Sequence, residues 1–122
     1  ALRHAPRHVN ARNGLAVDVI RDRSALAREA DDGSIENVFA LHFMNTEERP
    51  RHYRIAVTGL PGIGLAGKTE VEVPPAGTLA VMTTVRAPAD AGKSGAHPIR
   101  FEIRAADHDE THLSEKASFM LP

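Results

Sequence analysis

A period of two is the feature that most constrains this chain. From Leu15 onward, apolar residues recur at every second position in short runs. Leu15, Val17 and Val19 alternate in the first run, and Ile35, Asn37, Phe39, Leu41 and Phe43 in the second. Tyr53, Ile55 and Val57 follow, opposite Arg54 and Thr58. Then come Thr69, Val71 and Val73 against Lys68, Glu70 and Glu72, and next Leu79, Val81, Thr83 and Val85. Ile99, Phe101, Ile103 and Ala105 alternate with Arg100, Glu102 and Arg104, and the last run gives Ala117, Phe119 and Leu121. One apolar and one polar side per run is the pattern of a half-buried antiparallel strand.

Turn residues separate the runs: Asp32-Gly33, Arg49-Pro50, Pro61-Gly62, Pro74 through Gly77, and Pro88 through Gly95. This spacing predicts about seven short strands in two packed sheets. The expected fold is an all-β, immunoglobulin- or fibronectin-III-like antiparallel sandwich of Greek-key type. Residues 1–14 are expected to be an extended lead-in or linker, and residues 15–122 the sandwich domain. Ser24–Asp31 competes weakly, as a loop that could hold one helical turn behind a Ser24 cap.

Composition narrows the chemistry. The chain has 122 residues and no Cys, which removes disulfides, thiolate nucleophiles and Cys-ligated metal clusters from it. The sandwich must therefore hold by packing alone. With 15 Lys+Arg against 16 Asp+Glu, it lacks the basic excess of a nucleic-acid binder. No apolar run is long enough to span a bilayer as a helix. A start at Ala1 fits a piece excised at a domain boundary.

Several motifs suggest chemistry. Gly62 through Thr69, GIGLAGKT, matches the phosphate-loop pattern letter for letter. A working phosphate loop opens a helix whose N-terminal amides hold the phosphates. Here Glu70-Val71-Glu72-Val73 alternates and runs into Pro74-Pro75, so a loop between two strands is expected instead. His108 and His112, in an acidic hairpin tip, are candidate metal ligands, because imidazole suits copper, nickel and zinc. Met44, Met82 and Met120 fall on the polar sides of their runs, and thioethers suit copper(I). The serines sit in no G-x-S-x-G elbow. Asp22 and Arg23, within the alternating charges Asp18 to Arg23, are candidate structural residues that could pin the first strand through ion pairs. Asn37 lies on an apolar side and must find hydrogen-bond partners if buried. It is expected to bond loop backbone and organise a turn.

The stretch Asp18-Val19-Ile20-Arg21-Asp22-Arg23, then Leu26, Arg28-Glu29, Gly33 through Phe39, Leu41 and Met44-Asn45, resembles a known family. So do Tyr53-Arg54-Ile55, Val57, Gly59-Leu60, and the ending Phe119 to Pro122. These residues look like the C-terminal domain of the FixG/RdxA/CcoG cytochrome c oxidase accessory proteins. The resemblance implies an immunoglobulin-like domain on the periplasmic side of the bacterial inner membrane. It implies a parent protein with transmembrane helices and iron–sulfur clusters upstream, involved in cbb-type oxidase assembly and associated with copper reduction. It implies no cofactor in this domain itself, and protein partners such as oxidase subunits or copper chaperones. The chain departs at Phe39, where the family often carries Tyr, so no role of that hydroxyl carries over. Two functions are therefore expected in order: a non-catalytic contact or positioning domain, then a copper-handling domain using loop His and Met residues.

Overall fold

In the computed structural model, the described residues are 10–12, 15–21, 27–106 and 112–122. They form ten strands: β1 (Asn10–Arg12), β2 (Leu15–Arg21), β3 (Arg28–Glu29), β4 (Ile35–Asn45), β5 (Arg51–Thr58), β6 (Gly64–Ala66), β7 (Glu70–Val73), β8 (Thr78–Ala87), β9 (Gly95–Ala105) and β10 (His112–Leu121). The larger sheet has the order β1-β2-β4-β8-β6, with β3 beside the start of β4. The smaller has the order β10-β9-β5-β7. Every pairing is antiparallel.

The alternating sequence produces this architecture directly. In β5, Arg51, Tyr53, Ile55 and Val57 are buried while His52, Arg54, Ala56 and Thr58 are exposed. The inward sides of the two sheets meet. Phe39 of β4 packs edge-on against Phe101 of β9, with ring centroids 5.2 Å apart. Phe43 of β4 stacks on Tyr53 of β5 at 6.3 Å. Such aromatic pairs hold the layers together beyond their area burial.

Seven strands match the seven alternating runs, and three short ones are additional. Asn10–Arg12 lies in the expected lead-in and pairs with Leu15–Val17. Arg28–Glu29 lies where a loop or helical turn was expected. It is a strand because Gly33 takes a left-handed φ of 88° and turns the chain back, so that Arg28 pairs with Glu36. Gly64–Ala66, inside the phosphate-loop-like string, pairs with β8 at Thr84–Arg86. The chain then leaves the larger sheet at Gly67, where φ is 111°, and enters β7 of the smaller one. No helix opens at Lys68, as the alternation and the two prolines require. No helix among the described residues is long and apolar enough to cross a membrane.

Candidate functional site

Two polar side chains on the inward faces position the layers. Asn37 is buried in β4. Its Nδ2 donates to the Met120 carbonyl at 3.1 Å, and its Oδ1 accepts the Met120 N–H at 2.7 Å. Met120 sits on β10, an outer strand of the opposite sheet. The Asn37 amide thus stands in for the peptide group of a neighbouring strand. The expectation that Asn37 organises a turn is corrected: its partner is strand backbone, because the sandwich brings β10 over β4.

The turn-organising residue is Asn45, which the sequence reading passed over. Its Nδ2 donates to the carbonyls of Arg49 at 2.9 Å and Pro74 at 3.1 Å. Its Oδ1 accepts the Glu47 N–H at 2.9 Å. One buried amide so ties the β4–β5 turn to the β7–β8 turn. Asn45 continues the inward series of Ile35 to Phe43, and that position was the available clue.

At the other end, Glu36 is buried although it lies on the polar side of β4. It accepts Arg28 Nε at 2.9 Å and Arg86 Nη2 at 2.6 Å. Those bonds, Arg86 first and Arg28 second, hold its carboxyl below the usual range against the opposing cost of burial. The cluster fastens β3 and β8 across β4. Nearby, Asp32 caps the hairpin by accepting the Ser34 hydroxyl at 2.6 Å and the Ser34 N–H at 3.0 Å.

The remaining candidates disperse. His112 places Nε2 2.9 Å from Glu102, on the solvent side of the smaller sheet. His108, Asp22 and Arg23 lie outside the described residues. Met44 and Met82 share a sheet face but sit in different rows, Met44 opposite Thr78 and Met82 opposite Ala40. Four residues of strand separate them, about 13 Å. Met120 belongs to the other sheet. Among the described residues, no group of three or more His, Asp or Glu is placed to hold a metal ion.

What the fold does assemble is a surface. The outer sides of the two sheets differ sharply. The smaller sheet presents polar pairs: Arg54 with Glu70 at 3.0 Å, His52 with Glu72 at 3.5 Å, and His112 with Glu102. The larger sheet presents three rows across β2, β4 and β8. These are Ala16–Met44–Thr78, Asp18–His42–Ala80 and Ile20–Ala40–Met82. The exposed large apolar side chains among the described residues, Ile20, Met44 and Met82, all lie here, at 47%, 49% and 60% exposure. The small residues between them leave a shallow concavity of about 460 Å³, bordered by Ala16, Asp18, His42, Met44, Thr78 and Ala80. Apolar residues gathered on one face of a sheet, with only Asp18 and His42 ionisable in these rows, are the chemistry of a contact surface.

A family model described as "IG-like fold at C-terminal of FixG, putative oxidoreductase" matches residues 8–122. The crystal structure of a FixG-related protein from Vibrio parahaemolyticus superposes with a TM-score of 0.76 at 24% identity. That match covers 88% of this chain and 96% of the other. The GAE domain of yeast GGA1 superposes with a TM-score of 0.51 at 12% identity, covering 94% of this chain and 97% of that one. At these identities the likeness shows the fold. No curated protein matches the chain.

Proposed function

The chain belongs to the family of Ig-like domains at the C-terminal of FixG, and on that premise we propose that it is a non-catalytic contact domain. It docks a protein partner on the periplasmic side of the bacterial inner membrane during assembly of cbb-type cytochrome c oxidase. The partner is an oxidase subunit, and the docking surface is the outer side of β2, β4 and β8. One observation carries this reading: among the described residues, the exposed large apolar side chains lie on one sheet face, while the other face carries Arg54–Glu70 and His112–Glu102 pairs. Buried apolar contact supplies most of the affinity at such surfaces, and Asp18 and His42 at its centre would set orientation.

The test is a pair of lysine substitutions, Ile20→Lys and Met44→Lys, in the full-length membrane protein. Both positions are about half exposed, so folding should survive. The expected result is a several-fold fall in assembled oxidase, with the accessory protein present at its normal level. Normal oxidase assembly in both variants would overturn the reading. A lysine at the exposed Thr58, on the charged sheet, serves as the control.

A further inference from the structure

Among the described residues, part of strand β8 has an open edge, and its residues differ from those of the β7 and β10 edges. Strand β6 covers β8 only from Thr84 to Arg86. From Thr78 to Thr83, β8 pairs with β4 alone among the described residues. The Asn45 N–H donates to the Gly77 carbonyl at 2.8 Å, so Gly77 is turned toward β4. In an antiparallel ladder this direction alternates. Leu79, Val81 and Thr83 therefore bond β4, while Thr78, Ala80 and Met82 aim their N–H and C=O groups away from it. Thr84 and Arg86 aim the same way, and they meet β6.

Burial falls off along β8 from Val85 and Thr83 toward its start. Val85 and Ala87, beside or just past β6, are 0% and 1% exposed. Leu79 and Val81 also point inward, yet they are only half-buried. No described strand covers β8 where β6 stops. Both edges of the smaller sheet carry guards of the usual kinds. Strand β7 has Glu70 and Glu72 and runs into Pro74-Pro75, and β10 has Lys116 and the Asn37 amide on Met120. Thr78 to Val85 has no charge and no proline.

We propose that this edge pairs with the β8 edge of a second copy of the chain, about a two-fold axis through Ala80. The free backbone groups themselves point to that occupant. They are centred on Ala80, so an antiparallel copy sets Ala80 against its counterpart and Thr78 against Met82. Every free N–H then meets a C=O, giving about six hydrogen bonds. The small Ala80 side chain fits at the axis. Leu79 comes opposite Val81, and both gain cover. At Thr84 the line is taken by β6, and there the incoming chain has already turned off through its own Pro74–Gly77 turn toward β7. The slot and the strand that fills it have the same length.

Sedimentation velocity of this chain over a concentration series tests the proposal. A small interface of this kind should show a monomer–dimer equilibrium with Kd on the order of 0.1 mM. Ala80→Pro removes an N–H that does not serve the β4 ladder, a placement that edge strands tolerate. It should raise Kd at least about tenfold, and Met82→Lys should do the same. Ile20→Lys, two strands from the edge, should leave Kd within about twofold. Should Ala80→Pro fail to fold by circular dichroism, Met82→Lys decides alone. A monomer at every concentration, or a dimer that withstands Met82→Lys, overturns the proposal. So does a dimer that dissolves on Ile20→Lys. The contact reading above is independent of this result, since oxidase assembly and not self-association reports on it.

Discussion

Replacing Asn37 by Leu tests whether a side-chain amide joins the two sheets. The side chain is 1% exposed and makes both of its bonds to one residue, Met120. Leucine has the same number of side-chain heavy atoms and the same branching, so no cavity is left. The substitution removes two hydrogen bonds and leaves the Met120 N–H and C=O to find water at a partly buried position. Each such loss costs about 1–2 kcal/mol once the stranded group is counted. Greater burial of Leu itself offsets part of this, leaving an expected loss of about 2–3 kcal/mol. For a domain of this size, that lowers Tm by roughly 8–15 °C. Urea denaturation should show a lower midpoint with an unchanged slope, since the surface exposed on unfolding is the same. Asn37→Asp gives an internal check. Its carboxylate can accept the Met120 N–H but opposes the Met120 carbonyl, and burial raises its pKa above the unfolded value. Its deficit should therefore be smallest at low pH, where it is protonated, and grow as pH rises through the folded pKa. A Tm for Asn37→Leu within about 2 °C of the parent would refute the role assigned to this amide.

Glu36 should show the opposite pH behaviour. Its carboxyl is held below its ordinary value of 4.5 by Arg86 and Arg28. The stability it confers is complete above that value and is lost as pH falls through the lowered folded pKa. The gap in urea midpoint between the parent and Glu36→Gln should be widest near neutral pH and close on acidification; a constant gap would refute the ion-pair account. Asn45→Ala should cost about 2–4 kcal/mol, because two turns lose their shared tie. Exposed Asp32→Ala should cost clearly less, and the reverse order in chemical denaturation would be inconsistent with this structure. Lys68 is exposed in a loop between strands. Lys68→Ala should leave Tm unchanged, and ATP with magnesium should not raise it; a ligand-induced rise abolished by that substitution would restore the nucleotide reading.

The long strands were legible because burial on one side imposes alternation on sequence. Strand β5 shows it without a break, from Arg51 to Thr58. The short strands were not legible, because pairing rather than pattern makes them. Arg28 becomes a strand residue by backbone pairing with Glu36, and Gly64–Ala66 by lying against β8. Asn37 could be recognised as a buried polar residue from its neighbours Ile35 and Phe39. Its partner lies 83 positions away, and no local rule reaches that far. The same limit hid the burial of Glu36, whose second arginine is 50 positions distant. The apolar outer face was half visible. Met44 and Met82 stood out on the polar sides of their runs, but Ile20 joins them only once β2, β4 and β8 are adjacent. The histidine reading rested on imidazoles in an acidic hairpin tip, and in the fold His112 is held by Glu102 across the strand pair.

Photo-crosslinking in native membranes tests the central claim most directly. A photoreactive residue would replace Met44 on the apolar face or Arg54 on the charged face of the full-length protein. The Met44 position should link to an oxidase subunit, identified by mass spectrometry, and the Arg54 position should not. Links from Arg54 alone, or no link from Met44 while oxidase is being assembled, would contradict the account.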